Sequence, residues 1–220
     1  MIEAQGIEKR YEGVPVLRGA SLKVEPGDCV VLTGDNGSGK TTLLHVLMGL
    51  RESDAGRVLW KERPLTARGT GAWRSARRSW GFLPQAVSLP PHARIAHLLR
   101  LHARLRGADL EEARRWLGRV GLAEVEGSRV GALSGGMRQR LALALVLFHQ
   151  PELVVMDEPR SSLDPGWRTA LVDWVCEVAG RGAGVLVTTQ SREGWPSDAQ
   201  HRRCERGQIV ELAGGEGGAP

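Results

Sequence analysis

Residues 34–41 read GDNGSGKT, and this octapeptide limits what the chain can fold into more than any other stretch. It fits the spacing G-x-x-x-x-G-K-[ST] and sits between two segments of different periodicity. Before it, residues 29–32 form a continuous apolar run, as suits a strand covered on both faces. After it, Leu43, Leu44, Leu47 and Leu50 recur at helical spacing, so a helix is expected to begin near Lys40. Gly34, Gly37 and Gly39 permit positive φ and let the backbone approach an anion closely. Successive N–H groups and the helix N-terminus then face that anion. The expected cradle for the phosphates of a nucleotide is therefore Gly34, Asp35, Asn36, Gly37, Ser38, Gly39, Lys40, Thr41 and Thr42. Lys40 supplies a flexible point charge for the β and γ phosphates, and the Thr41 hydroxyl is a ligand for Mg2+. Lysine is scarce in this chain, yet one stands here, where an arginine fork would be too bulky.

The remaining chain is read as strands alternating with helices, which calls for a parallel sheet with crossovers. Strands are expected at Ile2–Tyr11 and 20–24 around a turn at 13–15, then at 56–60 after an Asp54-Ala55-Gly56 turn. Further strands are expected at 153–156 and 185–188, with a helix through 167–178 between them. From 90 to 150 the pattern is helical: Ile95, Leu98, Leu99 and Leu105 make one stripe, and Trp116, Leu117 and Val120 another. That stretch reads as a helical lobe inserted between two core strands. The expected layout is one domain over residues 1–212, with its core at 1–90 and 150–212, a helical subdomain at 91–149, and a flexible tail at 213–220.

Composition narrows the function classes. The 220 residues are 41% hydrophobic and 25% charged, as in ordinary globular proteins. The longest apolar run, residues 141–148, falls far short of the roughly 18 residues of a membrane helix. MIEAQGIEKRY is charged from its third residue, so no signal peptide is expected. Cys29, Cys176 and Cys204 are scattered without C-x-x-C, which fits a reducing cytosol and neither a disulfide framework nor a zinc site. The net charge of +5 is spread along the chain among acids, so nucleic acid is not an expected partner. The densest basic stretch, RGTGAWRSARR at 68–78, reads as a solvated face or one near lipid headgroups. His92, His97 and His102 recur every five residues, which scatters them around a helix, so no metal site is expected there.

Two more motifs carry chemistry. LVVMDEP, residues 153–159, places Asp157 and Glu158 at the end of a buried strand, where acids point into a ligand crevice. Asp157 is placed to hold Mg2+, usually through water, and Glu158 to face an attacking water as general base. ALSGGMRQRLALAL, residues 132–145, sets a serine and two glycines ahead of an apolar helix. Bare glycines there leave N–H groups uncovered, and such a helix start attracts anions.

Together these motifs resemble the ATP-binding subunit of an ABC transporter, over roughly residues 2–211. The signature motif of that family is matched by Leu133, Ser134, Gly135, Gly136 and Gln139. Its glutamine loop is matched by Gln85 in GFLPQ, its aspartate loop by SSLD ending in Asp164, and its adenine-stacking aromatic by Tyr11. The resemblance implies an α/β fold: a P-loop NTPase core with a mostly parallel sheet, an N-terminal antiparallel portion and an inserted helical subdomain. It implies ATP and Mg2+ as cofactors, with Gln85 a catalytic residue and metal ligand. It implies that Ser134, Gly135 and Gly136 cap the γ phosphate of ATP held by a second copy, in a head-to-tail dimer. That dimer is a homodimer or a pair with a second nucleotide-binding subunit. Separate transmembrane permease subunits would dock near Gln85, at the cytoplasmic face of the membrane. The compact length and DAGRVLW resemble exporter-type cassettes and, more faintly, the haem exporter subunit of cytochrome c maturation.

The sequence departs from that family at two places. Gln190 in VLVTTQ stands where the family has a switch histidine; it is read as catalytic, with an amide that donates to the γ phosphate but carries no charge. Part of the ~1.5–3 kcal/mol of a charged hydrogen bond is then lost, and hydrolysis is expected to be slowed about tenfold. Arg160 stands where the family favours a small polar or aromatic residue. Two other readings compete: a soluble ABC-type ATPase acting on nucleic acid or ribosomes, and a weakly hydrolysing regulatory module. The first usually carries coiled-coil insertions or tandem cassettes, which are lacking here; single-turnover hydrolysis separates the second.

Overall fold

The computed structural model describes residues 1–65 and 71–212. The tail at 213–220 and the start of the basic stretch at 68–78 lie outside the described residues. The first strands are β1 (Ile2–Tyr11), β2 (Val14–Val24), β3 (Cys29–Thr33), β4 (Ala55–Trp60) and β5 (Arg63–Pro64). The later ones are β6 (Trp80–Leu83), β7 (Leu153–Asp157), β8 (Gly184–Thr189), β9 (Gln200–Glu205) and β10 (Gln208–Glu211). Six α-helices are described: α1 (Lys40–Leu47), α2 (Gly71–Arg78), α3 (Ile95–Arg106), α4 (Leu110–Arg119), α5 (Gly135–Leu147) and α6 (Pro165–Gly180).

The N-terminal sheet is antiparallel, in the order β2-β1-β4-β5. Its first hairpin turns on Glu12 and Gly13, both at positive φ, with Tyr11 paired to Val14. Two such residues match the right-handed twist of the flanking strands. The turn thus lies ahead of the expected 13–15, and Pro15 already pairs with Arg10. β2 is longer than the expected 20–24; its first part was hidden because Gly19 at φ 78 and register shifts interrupt the alternation. Gly56, expected to end the turn and open the strand, lies within β4 at φ 83, where a Cβ would lie 2.4 Å from the Gly6 carbonyl oxygen.

The second sheet runs β10-β9-β3-β8-β7-β6 and is parallel except for the β9–β10 hairpin. Its central strands are apolar up to their carboxyl ends, where Thr33, Asp157, Thr188 and Thr189 stand, because both faces are covered. Val30, Leu32, Leu153, Val155 and Leu186 pack with α1 and the antiparallel sheet. The alternate residues Val31, Val154, Met156, Val185 and Val187 pack with α5 and α6. Leu43, Leu44 and Leu47 of α1 are fully buried, each worth about 1.5–3 kcal/mol of transfer free energy. Leu50 does not join them: α1 ends at Leu47, Gly49 turns the chain at φ 64, and Leu50 is 44% exposed.

Between β6 and β7 the described chain contains only helical elements. Trp116, Leu117 and Val120 are buried, and Trp116 meets Trp174 of α6 edge-on at 5.7 Å between ring centres. Ile95, Leu98 and Leu99 of α3 are buried as expected, but burial on that helix stops at Ala103 and Leu105 is 62% exposed. The last turn of α3 carries the apolar stripe past anything that covers it.

Candidate active site

The site is built on the carboxyl ends of β3, β7 and β8, which lie side by side in the parallel sheet. After β3 the chain passes through residues 34–39 into α1, whose N-cap Gly39 is left-handed at φ 109. Gly34 (φ 150) must be glycine because a Cβ there would lie 2.5 Å from the Cys204 carbonyl oxygen. At Gly39 a Cβ would meet Leu17 Cδ2 at 2.9 Å, whereas Gly37 faces open space. The loop is braced from behind: the Ser38 N–H donates to the Asp35 carbonyl at 3.1 Å, and the Cys204 thiol to the Ser38 carbonyl at 3.0 Å.

Lys40 is buried, and its Nζ folds back onto the loop, donating to the carbonyls of Gly34 (2.6 Å) and Asp35 (3.0 Å). The Ser38 hydroxyl is buried without a partner. A buried ammonium hydrogen-bonded to carbonyl oxygens and an orphaned hydroxyl both gain from an anion's oxygens. These residues therefore fit the phosphates of a nucleotide.

Asp157 ends β7 opposite Thr188 of β8 and is 1% exposed. It accepts a hydrogen bond of 2.5 Å from the Thr188 hydroxyl. Glu158 follows at φ 46, a left-handed conformation rare for a side chain of its size. Its N–H donates to Thr188 at 3.2 Å, to both carbonyl and hydroxyl oxygens. Burial pushes the Glu158 carboxyl above the ordinary carboxylate range and Asp157 acts in the same direction, while Lys40 and the backbone N–H of Gln190 oppose them. Asp157, Thr41 and Gln85 offer oxygen donors of the kind Mg2+ prefers.

A cleft of about 530 Å³ collects residues far apart in the chain. It is lined by Tyr11, Asn36, Gly37, Ser38, Gly39, Lys40, Thr41, Thr42, Gln85, Glu158 and Gln190, all expected from sequence, and by Val16, which was not. Gly34 and Asp35 form the back of the same loop, and Asp157 is buried. Tyr11 is 38% exposed, with the Lys9 ammonium 5.9 Å from its ring centre.

Ser134, Gly135, Gly136 and Asp164 do not line this cleft. Ser134 caps α5, accepting the Met137 N–H at 3.2 Å, and Asp164 caps α6, accepting that of Trp167 at 3.1 Å. Gly136 packs against the Ser162 carbonyl, so the two segments adjoin. Buried Gln139 donates to the Pro159 carbonyl at 3.2 Å, tying α5 to the loop after the carboxylates. Sequence reading missed Thr188 as the partner of Asp157; its only signal was the polar pair that ends the apolar run of VLVTTQ. Cys204 gave none, because QHRRCE shows no apolar pattern.

Comparison with known proteins adds findings of three kinds. Residues 17–161 match the ABC transporter family. The chain is 36% identical over 214 residues to the Nod factor export ATP-binding protein I of Burkholderia thailandensis, covering 96% of this chain and 67% of that protein. The protein of the same name from Rhizobium sp. (strain N33) is 33% identical over the same coverage. The structure superposes on that of an ATP-binding subunit of an ABC transporter with a TM-score of 0.85 and 26% identity, over 96% of this chain and 90% of that one. A dimeric bacterial ABC transporter cassette gives a TM-score of 0.87 at 22% identity, over 97% and 100% of the two chains.

Proposed function

Since the chain belongs to the ABC transporter family, we propose that it binds and hydrolyses ATP to power an exporter whose membrane-crossing parts are separate subunits. The observation that carries this reading is the single cleft into which the fold gathers Lys40, Thr41, Gln85, Glu158 and Gln190. Lys40 exchanges its two loop carbonyls for phosphate oxygens, and the glycine loop surrounds them with N–H groups. Glu158, its carboxyl raised by burial, takes a proton from water as the water oxygen bonds to the γ phosphorus. The bond from that phosphorus to its bridging oxygen breaks, leaving ADP and phosphate. Gln190 donates its amide hydrogen to the γ phosphate without adding charge, so turnover is about tenfold slower than a histidine would allow. Thr41, Gln85 and Asp157 would hold Mg2+, which when bound neutralises charge developing on the phosphates.

Ser134, Gly135, Gly136 and Asp164 lie outside the cleft of their own chain, which supports a role at the nucleotide of a second copy. Gly135 and Gly136 open α5 with bare N–H groups, and the helix dipole favours an anion there. No helix among the described residues is long and apolar enough to cross a membrane; in this reading the chain docks on separate permease subunits at the cytoplasmic face. Export is supported by relatives named for Nod factor export. Haem as cargo finds no support in those names.

The test is purification with the membrane partners followed by steady-state turnover. Mg2+-dependent hydrolysis should fall about 10²–10⁴-fold in Glu158→Gln with nucleotide binding retained, and Lys40→Ala should lose binding. Unchanged turnover in Glu158→Gln would refute the assignment of the base. A chain that purifies with no membrane subunit would refute the transport role.

A further inference from the structure

The two loops that carry Glu158 and Gln190 leave adjacent parallel strands, β7 and β8, at the same edge of the sheet. Near the sheet they touch directly: the Glu158 N–H bonds to Thr188, and the Gln190 N–H faces the Glu158 carboxyl. Beyond that point residues 190–199 run to β9 without helix or strand, and Gln190 itself is exposed. A loop of this kind has many conformations unless something holds its far side.

That hold is Arg160. Its Nη1 donates to the Glu193 carbonyl at 2.6 Å, and its guanidinium carbon lies 5.6 Å from the centre of the Trp195 ring. The guanidinium passes over Gly194 so closely that a Cβ there would lie 2.8 Å from Nη2. Both ends of the tie are anchored. On one side, the Ser161 N–H donates to the Glu158 carbonyl at 3.2 Å, closing the turn that contains Arg160. On the other, Trp195 is buried in the core cluster with α5 and α6. The Glu193 N–H donates to Ser191 Oγ at 3.1 Å, and the Thr189 hydroxyl to the Ser191 carbonyl at 3.0 Å. Arg160 therefore grips a segment that is hydrogen-bonded back to the end of β8, where Gln190 begins.

We propose that Arg160 is a positioning residue, tying the loop that carries Gln190 to the turn that carries Glu158 and so setting the separation of the two groups that act on the γ phosphate. A neutral amide has no long-range charge to compensate for misplacement, so its hydrogen bond depends on being held in place. The catalytic consequence rests on the ATPase reading above; the tie itself belongs to the chain without nucleotide.

The experiment compares the full-length wild type with Arg160→Ala, Arg160→Lys, Gln190→Ala and the double variant Arg160→Ala/Gln190→Ala. Two quantities are read: kcat and KM for Mg-ATP, and hydrogen–deuterium exchange of the nucleotide-free chain. Arg160→Ala should lower kcat about tenfold with KM within about twofold, and Arg160→Lys, which keeps a charged donor, should recover part of the loss. In the Gln190→Ala background the same alanine should cost less than about twofold, because nothing remains to be placed. Amides of residues 191–195 should exchange at least about tenfold faster in Arg160→Ala while those of 34–41 are unchanged. Equal kcat in Arg160→Ala and wild type, or the same loss in both backgrounds, overturns the proposal. If the wild type shows no turnover, the ATPase reading fails instead. Exchange then decides the tie: faster exchange at 191–195 sustains it and unchanged exchange overturns it.

Discussion

Glu158 combines a left-handed backbone with a carboxyl raised above its ordinary value of 4.5, chiefly by burial. A carboxyl raised in the folded state binds its proton more tightly there than in the unfolded chain, so its ionisation at neutral pH costs stability. Glu158→Gln is therefore expected to melt at a higher temperature than wild type at neutral pH. The gain should shrink as pH falls through the raised value and vanish below the ordinary one, where both states are protonated; calorimetry across that range checks the sign. Two glycines of the phosphate loop make a second pair of predictions. Gly34→Ala drives a Cβ into the Cys204 carbonyl and should cost about 2–3 kcal/mol, whereas Gly37→Ala meets only its unfavourable φ and should cost about 1 kcal/mol. Denaturant titration of the two variants tests that ranking.

Helix starts are the elements on which structural roles and proposed functional ones overlap. Ser134 satisfies an N–H of α5, and Asp164 does the same for α6 with Pro165 at the first turn. Ser134→Ala should thus cost about 1 kcal/mol through the lost cap alone, which says nothing of nucleotide. Ser134→Asp separates the roles. Aspartate caps as well as serine and suits the helix dipole, so the melting temperature should hold. Its carboxylate would repel a γ phosphate, so ATP-driven dimers in Glu158→Gln, seen by size exclusion, should disappear when Ser134→Asp is added. Dimers that persist would remove the signature residues from the nucleotide site.

Across the whole molecule, the cleft holds one half of the proposed machinery while Ser134–Gly136 and Asp164 lie outside it. Specific activity should accordingly rise with protein concentration until dimers dominate. At protein concentrations where equal amounts of Lys40→Ala and Ser134→Asp chains pair at random, the mixture should recover about one quarter of wild-type turnover, since half the pairs are mixed and each mixed pair has one complete site. Each variant alone should be nearly inactive. Activity that stays flat on dilution to verified monomers would contradict the two-copy site.

The placement of Lys40 at a helix start and of Asp157 and Glu158 at a strand end was legible in the chain because each follows from a contiguous stretch: an apolar strand, the motif, and the turn or helix that follows. The parallel core was legible for the same reason, since a strand buried on both faces reads as a continuous apolar run up to its polar carboxyl end. Covering partners were not. Leu50 and Leu105 have the right spacing for a core, yet periodicity names a face and not what lies against it. β9 was hidden because only Cys204 of QHRRCE is buried and the strand exists by backbone pairing to β3. The bond from Arg160 to Glu193 spans 33 residues of chain and arises only when β7 and β8 lie side by side. Local sequence sets what each segment prefers and which groups it carries. Contacts between distant segments depend on how the sheet orders its strands, and that order emerges from the packing of the entire chain.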